Sequence, residues 1–301
     1  MKRIIFFLAS ALVLASCASR TAVFEAPRYS DQVIDLPGVP NARQLGGYAI
    51  GNKKVRDGVL IRSGALAKAT DEAVKTLHDR YQLGLVADFR TSMERGMAPD
   101  REVDGAVNVW VPVLEKIVHG EGGATMAALH LKKDDPHYAL ELLQRPDIQE
   151  MLRSSYDTIV FDEDHQKSYA SFLDSLVALP EGRAALWHCS HGKDRCGWGT
   201  AFVLAALGAG RDLIVADFEM SNVSYTGDME TLVSLAREEG LPATVDEDIH
   251  LLRGVSRLFF EKTLDEIDAR YGSIDNFLGT ALDLTRAEKR ALRRKFLEAK
   301  I

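Results

Sequence analysis

Short apolar runs alternate with amphipathic segments along most of the chain. Val59–Ser63, Leu85–Arg90 and Val107–Val111 are such runs, and a fourth ends at His188. Runs of this length, bounded by turn residues, are typical of strands that are covered on both faces. Because helical segments separate most of them, the pattern predicts an α/β fold, with a central, mostly parallel sheet of four or five strands flanked by helices.

Helices are predicted where apolar residues recur every three or four positions. In Asp71–Tyr81 the apolar residues share one face, and Thr70 or Asp71 would be the N-cap. The remaining predicted helices lie in the second half of the chain: Tyr169–Leu179, a helix capped by Asp212, Arg253–Tyr271 and Thr285–Ala299.

Residues 114–169 depart from the alternation of strands and helices. Helical spacing runs from Tyr138 to Ile159, and no strand pattern interrupts it. This region is predicted to be a helical insertion over the site, either a lid or a substrate platform. Helices that only pack against the core are the alternative.

Residues 184–210 carry the strongest chemical signal: an apolar run, a small polar loop and a helix that is apolar on nearly all sides. Between Cys189 and Arg195 lie five loop residues, whose amides form an anion cradle together with the helix N-terminus. A thiol beside such a cradle, with basic side chains close by, becomes a nucleophile at neutral pH. Arg195 can bind two phosphate oxygens through its planar guanidinium. The stretch therefore predicts phosphoryl chemistry. The five loop residues are Ser190, His191, Gly192, Lys193 and Asp194.

At these residues the chain resembles the cysteine-dependent tyrosine and dual-specificity phosphatases, whose signature is His-Cys, five residues and Arg. Gly-Lys-Asp-Arg within the loop resembles a bacterial branch with secreted and lipoprotein phosphatases that act on phosphotyrosine and phosphoinositides. The resemblance implies a protein-tyrosine-phosphatase-like fold that needs no cofactor or metal. It implies Cys189 as the nucleophile and Arg195 as the phosphate clamp, with the loop residues between them binding the substrate.

The resemblance also implies roles for individual loop residues. Asp194 would be the general acid, and Lys193 an extra contact to phosphate or inositol phosphate. The alternatives are an Asp194 that braces the loop by pairing with Arg195, and a Lys193 that is only a solvated charge. His188 is expected to order the loop by hydrogen bonds, and His191 either contacts substrate or faces water.

Cys196 departs from the family pattern, which has Thr or Ser after the arginine. That hydroxyl stabilises the thiolate and helps the phosphocysteine to hydrolyse, and a thiol is a weaker donor. Cys196 should lie near the Cys189 sulfur, so one hypothesis is a reversible disulfide that switches activity off and protects the nucleophile. The alternative is that Cys196 only fills the space of the hydroxyl.

Two further segments resemble the same branch. Asn41-Ala-Arg43 opens a turn-rich stretch, and both side chains are predicted to support the active site; a surface hairpin is the alternative. Asp88 and Arg90 end a predicted strand, at the edge where open α/β sheets keep their sites. Asp88 is therefore a reserve general acid, and an ion pair with Arg90 or Arg195 is the alternative.

The N-terminus resembles a bacterial lipoprotein signal. Lys2 and Arg3 precede an apolar stretch of about eleven residues, and Leu-Ala-Ser-Cys17 is similar to a lipobox. The protein is thus expected outside the cytoplasm, anchored by lipid on Cys17 to the bacterial membrane, the outer membrane where one exists; a plain secretory signal is the alternative. The predicted organisation is a lipoprotein signal peptide over 1–16, a tether over 17–37 and a phosphatase domain over 38–301.

The composition limits the classes of partner. With 37 Lys and Arg against 44 Asp and Glu, the net charge of −7 argues against nucleic-acid binding. Expected partners are a phosphorylated protein or a phosphoinositide, and the membrane through the lipid.

Two other functions stay open: a phosphate-binding pseudophosphatase, and a thiol redox or sulfur-transfer enzyme. Four histidines lack the paired spacing of a metal site: His119, His130, His137 and His165.

Overall fold

The apolar runs assemble into a five-stranded sheet in the computed structural model, which describes residues 26–116 and 135–300. The strands, in chain order, are Arg43–Gln44 (β1), Ala49–Ile50 (β2), Lys53–Val55 (β3), Leu60–Ser63 (β4), Leu83–Asp88 (β5), Val107–Trp110 (β6), Ala184–His188 (β7) and Leu297–Ala299 (β8). The central sheet has the order β1-β4-β7-β5-β6, and β2, β3 and β8 form a small antiparallel sheet.

Strand direction in the central sheet brings three strand ends together. β4 and β5 both run parallel to β7, and β6 runs parallel to β5, so that only β1 is antiparallel. Ser63 and Asp88 are each in register with His188, the last residue of β7. The loop after β7 therefore opens at the carboxyl edge of the sheet, between the ends of two neighbouring strands. The predicted α/β architecture is confirmed.

Helices cover the sheet. In chain order they are Tyr29–Gln32 (α1), Asp71–Lys75 (α2), Ser92–Met97 (α3), Pro136–Leu143 (α4), Pro146–Phe161 (α5), Glu163–Ala178 (α6), Asp194–Leu207 (α7), Arg211–Glu219 (α8), Ser221–Ser224 (α9), Thr226–Glu238 (α10), Val245–Arg253 (α11), Arg257–Tyr271 (α12), Ile274–Thr280 (α13) and Arg286–Phe296 (α14). A 3₁₀ turn, Leu66–Lys68, and a π-helical turn, Thr76–Arg80, complete the set. Every residue of α7 after Asp194 is buried, as its apolar sequence predicts.

Several predicted helix boundaries are wrong. The helix predicted over 253–271 begins at Arg257, because Arg253 is the last residue of α11 and Asn222 binds both the N–H and the C=O of Val255 in the break that follows. The final helix ends at Phe296, since the backbone of β8 pairs with β3. Asp212 is not a cap: Gly210 is the N-cap of α8, and Asp212 lies in the first turn. Thr70 caps α2 as predicted.

The described part of the predicted tether is folded against the domain. Residues 29–32 form α1, and Ile34 and Leu36 are buried in a core cluster. The folded unit thus begins before residue 38, the predicted boundary. The predicted signal peptide and Cys17 lie outside the described residues. Within residues 26–116 and 135–300, no helix is long and apolar enough to cross a membrane.

The predicted insertion contributes α4, α5 and the beginning of α6. These helices bury Leu140, Leu143, Ile148 and Leu152 in the main core. Residues 117–134, with His119 and His130, lie outside the described residues. The packing of α5 places one face against α7, the helix that follows the loop.

Candidate active site

The loop from Cys189 to Asp194 has one conformational requirement. Gly192 has a φ of +68°, a backbone region that favours glycine. A Cβ at this position would also lie 2.4 Å from the carbonyl carbon of Ser63 at the end of β4. Glycine therefore lets the loop curl tightly against the strand end.

Two side chains from the N-terminal part of the domain hold the carbonyls of this loop: Asn41, which precedes β1, and Arg62 of β4. Asn41 donates to the Gly192 carbonyl at 2.9 Å and to that of His191 at 3.4 Å. Arg62 donates to the carbonyls of Gly192 at 2.9 Å and of Lys193 at 3.1 Å. The C=O and N–H of a trans peptide point in opposite directions. The amides of residues 192–194 are thus directed away from these donors, which is the arrangement an anion cradle needs.

A buried charge network fixes those donors; we call Asn41, Arg43, Arg62 and Asp217 the brace. Arg62 donates to Asp217 at 2.6 Å, and Arg43 donates to Asn41 Oδ1 at 2.6 Å and to the backbone carbonyl of Asp217 at 2.9 Å. Both arginines and Asp217 are buried. Burial opposes ionisation of Asp217, but the two guanidinium groups outweigh it and lower its pKa. The brace is therefore an ionised cluster beneath the loop.

Two thiols lie at the base of the cradle, and they differ in charge. Burial raises the pKa of Cys189, but a hydrogen bond from Cys196 and the charge of Arg195 outweigh it and lower the pKa to about 5. The pKa of Cys196 is raised well above its ordinary value by burial and by the neighbouring Cys189. Both cysteines are free thiols. Cys189 is thus a thiolate at neutral pH while Cys196 stays protonated and can donate.

Arg195 is held in one orientation by Glu94. Two parallel hydrogen bonds of 2.7 Å join its Nη1 and Nη2 to the carboxylate, and Ser190 donates to the same carboxylate. Glu94 is the third residue of α3 and forms a capping box with Thr91. Arg195 pairs with Glu94, so the alternative in which Asp194 braces Arg195 does not describe this loop.

Asp194 lies at the start of α7 with its side chain 29% exposed. Its Oδ2 is 2.9 Å from the ammonium of Lys193, and its Oδ1 accepts a hydrogen bond from Tyr156 at 3.3 Å. Lys193 is buried and donates to the carbonyls of Leu251 at 3.1 Å and Gly254 at 2.7 Å. Lys193 is therefore not the solvated charge of the alternative interpretation. It joins the loop to the last turn of α11 and to Gly254, which follows that helix.

Comparisons with known proteins agree with this geometry. The profile of the tyrosine phosphatase family matches residues 34–298. The chain belongs to the tyrosine phosphatase family. A protein of Cupriavidus necator, named as a candidate tyrosine-protein phosphatase, is 33% identical over 260 residues, which are 84% of this chain and 85% of that protein. The triple specificity protein phosphatase PtpB of Mycobacterium tuberculosis is 25% identical over 266 residues, 83% of this chain and 94% of that protein. This protein is a cysteine-dependent phosphatase, and neither alternative function is favoured.

The phosphatase has one other cluster of ionisable groups near the loop. Asp88 and Asp100 both pair with Arg90, and His188 Nε2 lies 3.2 Å from Asp100. Among the described residues these two carboxylates and His188 are the one set close enough to share a cation. Arg90 already lies between the carboxylates, so the donors fit an ion-pair network and not a metal. Asp88 also pairs with Arg95, so the ion-pair alternative describes Asp88, and Asp194 stays the candidate general acid.

Sequence reasoning assigns no role to four residues that hold the loop, its brace or Asp194: Arg62, Glu94, Asp217 and Tyr156. For Glu94 a signal is present, since Thr91-Ser-Met-Glu94 has the Thr-x-x-Glu pattern of a capping box. Arg62 lies in a predicted strand, Asp217 in a segment of helical spacing and Tyr156 in the predicted insertion, and none of these patterns indicates a contact with the loop. Of the predicted supporting residues, Asn41 donates to the Gly192 carbonyl of the loop, and Arg43 donates to Asn41.

Proposed function

We propose that the phosphatase hydrolyses phosphate monoesters in two displacements through a phosphocysteine. Cys189 attacks phosphorus while Arg195 and the loop amides hold the equatorial oxygens. Asp194 protonates the leaving oxygen and then accepts a proton from the water that hydrolyses the phosphocysteine. The observation that carries this mechanism is the Cys189 thiolate at the base of a cradle whose arginine is already oriented by Glu94.

We propose phosphotyrosine protein as the preferred substrate, ahead of a phosphoinositide. At the exposed side of the loop, the rings of Tyr225 and His191 meet edge-on, with their centroids 6.3 Å apart. The Tyr225 hydroxyl donates to the His191 carbonyl. Such an aromatic edge suits the ring of a phosphotyrosine. Lys193, which would contact a further inositol phosphate, has its ammonium bound to two carbonyls and to Asp194. The mycobacterial relative is named a protein phosphatase, which also supports a protein substrate.

Phosphate release from a phosphotyrosine peptide and from a phosphoinositide, measured side by side on reduced protein, tests both proposals. The matched blank is Cys189→Ser, which keeps the cradle but removes the nucleophile. We expect release from the peptide to be faster and to vanish in the blank. Faster release from the phosphoinositide would reverse the substrate preference. Tight binding without release from either substrate would indicate a pseudophosphatase.

We further propose that lipid on Cys17 anchors the protein outside the cytoplasm. The support is the lipobox-like Leu-Ala-Ser-Cys17 after a short apolar stretch. Labelling with a fatty-acid analogue in the native host, compared with Cys17→Ser, tests this proposal. Equal labelling of both proteins, or no label on the wild type, would contradict it.

A further inference from the structure

We propose that Tyr156 is a positioning residue that holds the carboxylate of Asp194 for proton transfer. Tyr156 belongs to α5 of the insertion, distant in sequence from the loop, and its hydroxyl is 3.3 Å from Asp194 Oδ1. This inference rests on the proposed role of Asp194 as general acid. The leaving-group dependence of the Tyr156 and Asp194 variants separates the two.

The direction of the Tyr156 hydroxyl is set by its surroundings. The backbone N–H of Ser256 points at the hydroxyl oxygen from 3.3 Å, so that oxygen acts as an acceptor on one side. Its single proton is then available for Asp194. The ring is fully buried and packs edge-on against Phe218, with centroids 5.4 Å apart, and against Trp198 at 6.4 Å. The ring therefore cannot swing the hydroxyl elsewhere without disturbing the core.

One short segment orients both partners of Asp194. The carbonyls of Leu251 and Gly254 bind Lys193, and the N–H of Ser256 binds Tyr156. We call residues 251–256 the junction. Lys193 holds one carboxylate oxygen of Asp194 and Tyr156 holds the other. The junction thus fixes the acid through two separate contacts.

The chemistry gives Tyr156 a role that changes during the reaction. As Asp194 gives its proton to the leaving oxygen, the carboxyl becomes a carboxylate. A hydrogen bond to a carboxylate is stronger than one to a neutral acid. The Tyr156 hydroxyl therefore stabilises the transition state more than the ground state. The benefit should grow with the basicity of the leaving group, because poor leaving groups need more proton transfer.

The test is kcat/KM for a series of aryl phosphates whose leaving groups span a wide range of pKa. Tyr156→Phe removes only the hydroxyl and keeps the ring. We expect kcat/KM to fall about threefold to tenfold for the poorest leaving group, the range of one hydrogen bond, and little for the best. The matched control is Tyr169→Phe: Tyr169 is equally buried and donates to the Arg195 carbonyl at 2.9 Å, but does not contact Asp194. Any effect of this control should be equal across the series.

A double-mutant cycle with Asp194→Asn completes the test. If Tyr156 acts through Asp194, Tyr156→Phe has no further effect on the leaving-group dependence once Asp194 is replaced. A uniform loss across the series, or a loss that persists in the Asp194→Asn background, would overturn the inference. If instead Asp194→Asn itself leaves the dependence unchanged while phosphate release still requires Cys189, the general-acid role of Asp194 fails and the inference is overturned with it, although the phosphocysteine mechanism stands.

Discussion

The two sides of the catalytic loop are held in different ways. On the side of the strands, the brace uses two arginines and a carboxylate that are wholly buried. On the side of the insertion, Asp194 is held by a neutral hydroxyl and by Lys193, and its own side chain stays 29% exposed. The cradle for phosphate is thus held by a dry ionic cluster, whereas the proposed acid is held by one hydrogen bond and one ion pair at a partly exposed position.

The two sides also come from different parts of the chain. The brace combines Asn41, Arg43 and Arg62 with a carboxylate on α8, whereas the contacts of Asp194 come from α5 and the junction. Changes at the brace should therefore disturb folding and phosphate binding together. Changes on the insertion side should affect proton transfer while the fold persists.

Replacement of Asp217 is the strongest test of this comparison. Asp217→Asn leaves two buried guanidinium groups without their carboxylate, and we expect the free energy of unfolding to fall by about 3–5 kcal/mol. The matched control is Asp248→Asn. Asp248 also accepts two hydrogen bonds from an arginine, both of 2.8 Å, but that arginine, Arg153, is 44% exposed, so water can solvate its guanidinium when the carboxylate is removed. There we expect about 1–2 kcal/mol. Urea unfolding measures both, and equal losses would contradict the distinction.

Glu94→Gln tests whether the orientation of Arg195 matters beyond its charge. The variant breaks one arm of the paired hydrogen bonds, and we expect kcat/KM to fall about tenfold to a hundredfold because the clamp is no longer pre-oriented. Glu115→Gln is the control. Glu115 binds the first residue of α3, Ser92, and does not touch Arg195. A Glu94→Gln enzyme as active as the control would show that catalysis does not depend on the orientation of Arg195 by Glu94.

These residues show what sequence could and could not predict. Cys189 to Arg195 is a local motif between a strand and a helix, so its shape follows from neighbours in sequence. The segment with Asn41 and Arg43 is recognisable by its resemblance to the family. The contacts of Glu94, Asp217 and Tyr156 with the loop or its brace depend on how α3, α8 and α5 pack on the sheet and on α7. Periodicity shows that such helices bury a face, but not which polar side chain reaches a given loop.

The titration of Cys189 tests the charge of the cradle. Its pKa of about 5 lies below the ordinary value of 9.0, so alkylation by iodoacetamide should rise with pH through a midpoint near 5. Because the folded state releases this proton more readily than the unfolded state, the thiolate stabilises the fold fully above the unfolded pKa. This contribution declines as pH falls toward about 5. Cys189→Ser should lose both the reaction and this part of the pH dependence, and a midpoint near the ordinary value would contradict the assignment.

Cys196→Ser is expected to have the smallest effect on turnover. It restores the hydroxyl of the family pattern at a buried position on the brace side, where the Cys196 thiol lies 3.6 Å from the Ser63 carbonyl. Because a hydroxyl is a better donor than a thiol, we expect hydrolysis of the phosphocysteine to rise about twofold to threefold, within the range of one hydrogen bond. Single-turnover and steady-state rates separate this step from phosphorylation. A variant slower than wild type would show that the thiol is the better fit.

The same variant decides whether the two thiols form a protective pair. Hydrogen peroxide would oxidise the Cys189 thiolate to a sulfenic acid and be reduced to water. The Cys196 sulfur would then attack the sulfenic sulfur, and the oxygen would leave as water as the disulfide forms. We expect peroxide-treated wild type to lose both free thiols and to regain activity with a thiol reductant, whereas Cys196→Ser should pass on to irreversible oxidation. Equal recovery in both proteins, with two thiols still free in treated wild type, would leave Cys196 as a donor that fills the space of the hydroxyl.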